Sequence, residues 1–118
     1  MQIAKRFSSF DNVLGYELIN EPWAGDVYKH PDLLLPGRTE KQYLEPMYAH
    51  LHKAIREVDD EKIIFYEGLT IDYWPSGFSQ GPGGAAYNDR QAYAYHIYCP
   101  LQVLMPRLFC SIRSCCYY

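Results

Sequence analysis

The run Val13-Leu-Gly-Tyr-Glu-Leu-Ile-Asn-Glu-Pro-Trp23 limits what this chain can fold into more than any other stretch. Its first seven residues are apolar or aromatic apart from Glu17. That predicts a strand, from about Asn12 to Asn20, buried on both faces as strands of parallel sheets are. Proline has no N–H for a sheet ladder and pushes the residue before it into an extended conformation. Pro22 is therefore expected to end the strand with Glu21 as its last side chain. A carboxylic acid then stands at the C-terminal mouth of a parallel strand, where α/β folds build their active sites.

Residues 1 to 11 read as the tail of a helix and a loop containing Ser8 and Ser9. Trp23 to Gly37 is polar, marked by glycine and proline, and long for a strand-to-helix connection, which points to a functional loop. Thr39-Glu-Lys-Gln42 has the form of a capping box, and Pro46 fits the first turn of a helix or a kink near its start. Leu44, Met47, Leu51, Ala54, Ile55 and Val58 recur at steps of three and four, predicting a helix with one apolar stripe. His50 and His52 are two apart, so they face different directions and read as solvated helix residues rather than a metal pair. Asp59-Asp60 closes the helix. Lys62-Ile-Ile-Phe-Tyr-Glu67 follows as a second buried strand, again ending in a carboxylate, with a right-handed parallel crossover expected. Leu69 to Gln91 holds too many glycines and prolines for more than one short helical turn. Ala92-Tyr-Ala-Tyr-His-Ile-Tyr98 is the third strand, terminated by Cys99-Pro100.

With 118 residues and a net charge of −3, the chain is at most one soluble α/β domain. It has no basic run to recommend nucleic acid or a membrane surface as partner, and no stretch of about 18 apolar residues that could span a bilayer. The first ten residues are too polar for a secretory signal. Cys99, Cys110, Cys115 and Cys116 lack the spacing of a zinc site or a disulfide framework. Leu101 to Tyr118 contains no acidic residue and follows neither helical nor strand periodicity. The expected organisation is thus a structured part, 1–100, and an unassigned tail, 101–118, read as non-native or disordered, for instance from a misread exon or a truncated reading frame.

Three groups of residues, Tyr16-Glu-Leu-Ile-Asn-Glu-Pro-Trp23, Ala54-Ile-Arg-Glu-Val-Asp59 before Ile63-Ile-Phe-Tyr-Glu67, and Tyr95-His-Ile-Tyr98, resemble glycoside hydrolase family 5. Within it they look like the endoglycoceramidase branch. The resemblance runs from about Asn12 to Pro100 and implies a partial (β/α)₈ barrel holding strands four, five and six. It implies that Glu21 is the general acid/base of a retaining glycosidase, with a pKa raised to suit that work. It assigns Asn20 to the sugar 2-hydroxyl, and His96 and Tyr98 to the sugar site. The substrate implied is a glycan or glycolipid, and no metal or organic cofactor is expected because two carboxyls do the chemistry. The parent family is often secreted or lysosomal.

The departure from the family pattern is severe. The family's nucleophile is a glutamate ending the seventh strand, and no Asp or Glu follows Asp89 here. This chain alone is therefore expected not to hydrolyse glycosides. The competing readings are a non-catalytic carbohydrate-binding or interaction remnant, and a cellulase-like or glucosylceramidase-like specificity. Glu17 shares strand parity with Glu21 and reads as a buried structural carboxylate whose partner lies in strands not present. Glu67 reads as either a loop anchor or a substrate contact. Trp23 and Trp74 sit in loops on the active face, where an indole either stacks on a sugar ring or pins its loop.

Overall fold

The computed structural model describes residues 2–70 and 77–96. In chain order these form helix α1 (Gln2–Phe7), strand β1 (Gly15–Glu17), a 3-10 turn (Pro31–Leu34) and a π-helical turn (Glu40–Leu44) leading into helix α2 (Glu45–Arg56). Strand β2 (Ile63–Glu67), a second 3-10 turn (Ala85–Tyr87) and strand β3 (Gln91–Ala94) follow. The strands make one sheet in the order β1-β2-β3, with both pairs parallel. The strand-helix-strand unit is as the sequence predicts, and among the described residues between β2 and β3 there is one short helical turn, Ala85–Tyr87.

Side chains alternate across a pleated strand, so register decides which residues share a face. Tyr16 pairs with Ile64 and Tyr66 with Tyr93, and this face packs on the helices. Ile64 is fully buried against Ala4 of α1 and Ile55 of α2, with Tyr16, Leu18 and Val58 around them. Further along, Tyr66 meets Tyr48, Phe78 and Tyr93 edge-on, at ring separations of 6.1, 5.3 and 5.4 Å. The opposite face carries Glu17, Phe65, Glu67 and Ala94.

Several expectations are corrected. β1 ends at Glu17 and not near Asn20, because the chain leaves the ladder once Leu18 N–H has bonded Phe65 O at 3.1 Å; beyond it the backbone turns to side chains of the β2 end. β1 is not buried on both faces: Glu17, on the face away from the helices, is exposed, and Leu14, just before the strand, is 70% exposed. β3 spans Gln91–Ala94, and residues 97–100 of the expected third strand lie outside the described residues, as does the 101–118 tail.

The helix also differs. Thr39 is no cap: its backbone is already helical (φ −68°, ψ −40°), and its hydroxyl donates to Leu33 O at 2.8 Å. Pro46 does lie in the first turn of α2, two residues past a π turn that closes with Glu45 N–H reaching five residues back to Glu40 O. That wider turn accommodates a residue with no N–H of its own to offer. The buried stripe is Leu44, Tyr48, His52 and Ile55, while Met47 faces out. Tyr48 takes the inner position because its hydroxyl finds a buried acceptor, Glu67 O, at 2.9 Å. His52, expected to be solvated, is buried edge-on to Tyr87 at 4.5 Å. Its pKa is lowered by burial and by the neighbouring Arg56 guanidinium. His50 is exposed, as expected.

Candidate active site at the C-terminal ends of the strands

The parallel register brings three ionisable side chains to one place. Glu67 is the last residue of β2 and is paired with Ala94. His96, two residues beyond Ala94, keeps the parity of that face, and Glu17 holds the same parity on β1. Ligand-capable atoms of Glu17, Glu67 and His96 lie within 4.8 Å of one another. Such a set could chelate a cation, but the three groups already bond among themselves and to Glu21.

Glu21 enters from the bend after β1. Its φ of +47° puts a non-glycine residue in the left-handed region, a sparsely populated conformation that the surroundings must hold. Glu21 N–H donates to Glu67 Oε2 at 2.6 Å. The Thr70 hydroxyl donates to Glu21 O at 2.7 Å, and Thr70 N–H donates to Pro22 O at 3.1 Å. Pro22 is buried. The bend is thus tied to the end of β2 at three points, and the Glu21 side chain, 25% exposed, is aimed at His96.

The Glu21 carboxylate and the imidazole meet through Oε1 and Nδ1 at 2.8 Å. The other ring nitrogen, Nε2, lies 3.1 Å from Glu67 Oε1. Glu67 Oε1 has no well-directed hydrogen bond, so this second contact is ionic in character. The Glu21 hydrogen bond, followed by the charges of Glu67, Glu21 and Glu17, raises the His96 pKa above its ordinary 6.5, against some desolvation. Glu17 is raised as well, first by sharing a hydrogen bond with Glu67, then by burial and by the Glu67 charge. Glu17 therefore has its partner within this chain, which corrects the expectation that its partner lay elsewhere.

Asn20 is exposed on the same bend, next to Glu21. Trp23 is 55% exposed and lines a neighbouring groove of about 330 Å³ with Ala24, Leu33, Tyr43 and Leu44, rather than the cleft between Glu21, Glu67, Thr70 and His96. Tyr98 and Trp74 lie outside the described residues. Sequence reasoning missed the joint role of Glu17 and Glu67; strand parity together with the parallel register was the signal that could have found it.

A family model described as cellulase (glycosyl hydrolase family 5) matches residues 1–107. The chain belongs to glycosyl hydrolase family 5. Two curated family relatives, the endoglycoceramidases of Cyanea nozakii and Hydra vulgaris, are each 50% identical to it, over 97 and 94 residues. Those matches cover 82% and 80% of this chain but only 19% and 18% of the relatives. Endo-glycoceramidase II from Rhodococcus sp., solved with ganglioside GM3, superposes with a TM-score of 0.72 at 29% identity, covering 87% of this chain and 22% of that one. The same enzyme with a cellobiose-like isofagomine gives 0.70 at 31% identity. The chain thus spans about a fifth of the relatives it matches, and its parallel sheet with packed helices is part of the family 5 (β/α)₈ barrel.

Proposed function

We propose that this chain carries the acid/base segment of a retaining O-glycosyl hydrolase, most like an endoglycoceramidase, which separates oligosaccharide from ceramide in a glycolipid. Glu21 is the general acid/base. In the first step it gives a proton to the departing glycosidic oxygen while a second carboxyl attacks the anomeric carbon. In the second step the same oxygen takes a proton from the water that releases the sugar. The observation that carries this reading is the 2.8 Å contact of Glu21 Oε1 with His96 Nδ1 at the strand ends, which gives the carboxyl a neighbour able to hold or return a proton. In this reading Asn20, on the same bend, meets the sugar 2-hydroxyl and His96 lines the sugar site, to which the sequence motif also assigns Tyr98. Trp23 serves as a stacking platform beside it.

No acidic residue follows Asp89, so these 118 residues do not complete the reaction without an opposing carboxyl. The test is a chimera in which residues 12–96 replace the matching segment of the Hydra vulgaris endoglycoceramidase. The chimera is expected to turn over an aryl glycoside, and Glu21→Gln to lower turnover about 10²–10⁴-fold. Azide should restore the rate with a good leaving group, because it attacks the glycosyl-enzyme without needing a base. Full turnover by the Gln variant would reject the assignment. Sugar binding by the 118-residue chain, with an inactive chimera, would instead favour a carbohydrate-binding remnant.

A further inference from the structure

Glu67 ends β2 with its side chain 5% exposed, and its backbone carbonyl is held by the Tyr48 hydroxyl at 2.9 Å. A carboxylate so buried needs donors. It has one hydrogen-bond donor, Glu21 N–H on Oε2, and beside Oε1 the edge of the His96 ring, with Nε2 at 3.1 Å in a contact of ionic character. The two carboxyls that sandwich the imidazole thus differ in kind, one buried and fixed by helix α2, the other on a bend open to the cleft. Among the described residues, the charged groups facing His96 are Glu21 from the bend, Glu67 from β2 and Glu17 from β1.

Which ring nitrogen of a neutral histidine carries hydrogen is set by what its other nitrogen meets. With a hydrogen on Nε2, held there by the nearby Glu67 carboxylate at 3.1 Å, Nδ1 offers Glu21 a lone pair, and a 2.8 Å contact between Nδ1 and a carboxyl oxygen then holds one proton. That proton sits on Oε1, giving a carboxylic acid and a neutral ring, or on Nδ1, giving a carboxylate and an imidazolium. The first is the acid form that a retaining mechanism needs; once that proton has gone to the departing oxygen, Glu21 is a carboxylate beside a neutral ring, the form that takes a proton from water. Without an acceptor at Nε2 the hydrogen moves to Nδ1 and Glu21 is left ionised.

We propose that Glu67 is a positioning residue for Glu21, holding the left-handed bend through the Glu21 N–H and keeping a hydrogen on His96 Nε2, so that the Nδ1–Oε1 contact carries the working proton. The proposal rests on the reading of Glu21 as acid/base. Its test does not use turnover: failure of the chimera assay would remove Glu21's role and leave the His96 result standing, and the reverse also holds.

The experiment is two-bond ¹H–¹⁵N correlation on the 118-residue chain with ¹⁵N-labelled histidine, His96 being assigned by His96→Gln. Wild type should keep hydrogen on Nε2 across pH 5–9 (about this range brackets the ordinary titration), with Nδ1 titrating above 6.5. Glu67→Gln should lower the midpoint by about one pH unit, and the Glu21 amide should lose protection from exchange. In Glu21→Gln, which leaves the buried carboxylate in place, the Nε2–H form should persist. An unchanged midpoint and tautomer in folded Glu67→Gln, or a switch to Nδ1–H in Glu21→Gln, overturns the proposal.

Discussion

The backbone N–H of Glu21 donates to Oε2 of Glu67 at 2.6 Å, joining residues 46 positions apart in sequence. A residue held at positive φ costs about 1–3 kcal/mol, and a hydrogen bond to a charged acceptor contributes about 1.5–3 kcal/mol. The two are of one size. The bend that presents the Glu21 side chain is therefore stable only with the β2 end beneath it, and the geometry of the candidate site depends on the strand pairing.

Stability should change with pH through His96. Its folded pKa is raised above 6.5, chiefly by the hydrogen bond with Glu21. A raised pKa means the folded chain binds the proton more tightly, so this contribution is fully present below pH 6.5 and is lost as pH rises through the folded value. His52 works the other way: its pKa is lowered by burial, so its contribution is lost as pH falls below its ordinary value. The comparison that isolates His96 is wild type against His96→Gln in urea unfolding at a series of pH values. The gap between them should be widest on the acid side and close towards alkaline pH. Parallel curves would contradict this.

Tyr16 and Asp59 form a second linked pair. The Tyr16 hydroxyl donates to Asp59 Oδ2 at 2.6 Å, and Asp59 Oδ1 accepts from the N–H groups of Glu61 and Lys62, each at 3.1 Å. Burial alone would raise the Asp59 pKa, but these donors outweigh it and hold it below 3.8. Burial, reinforced by Asp59, pushes the Tyr16 hydroxyl up to about 12. Tyr16→Phe should cost about 1–3 kcal/mol by leaving a buried carboxylate short of a donor. It should also shift the acid limb of unfolding to higher pH, since a depressed carboxyl pKa supplies stability above its unfolded value and loses it as pH falls. A loss below about 0.5 kcal/mol would mean that water replaces the hydroxyl.

The three strands and the helix between the first two were legible in the sequence, because apolar runs and a three-four period carry over into structure, although β1 stops at Glu17 and not at Pro22. Less legible were features decided by tertiary partners. Tyr48 displaced Met47 from the buried stripe because Glu67 O accepts its hydroxyl. Thr39 spent its hydroxyl on Leu33 O instead of capping. Glu17 and Glu67 looked like separate problems until the parallel register put them on one face with His96.

Gly15 marks where β1 and β2 approach too closely for a side chain. A Cβ built there meets the Ile63 carbonyl oxygen below any allowed separation and lies 2.8 Å from the Phe65 ring. The ring can move, whereas the carbonyl belongs to the strand backbone. Gly15→Ala should therefore push the strands apart, at a cost of about 1–3 kcal/mol or more, and lower exchange protection of Glu17 and Leu18 amides. Unchanged protection with wild-type stability would show that the strands can part without loss.

Arg56 closes the end of the sheet opposite the candidate site. Its Nη1 donates to Asp59 O at 3.1 Å and to Lys62 O at 2.9 Å, its Nη2 to Arg90 O at 3.1 Å, and its Nε to His52 Nε2 at 3.3 Å. The guanidinium also lies 5.1 Å from the centre of the Tyr87 ring, on which Arg90 stacks at 4.8 Å. One planar fork thus joins the end of α2, the start of β2 and the residue before β3. A lysine ammonium is a compact point charge that cannot reach three carbonyls lying in different directions. Arg56→Lys should consequently cost about 2–4 kcal/mol, the loss of one or two charge-assisted bonds, although the net charge is unchanged. Arg56→Met should cost about as much, because geometry rather than charge is what is lost. If Lys recovered most of the stability that Met loses in urea unfolding, the clamp would act as a charge and not as a fork.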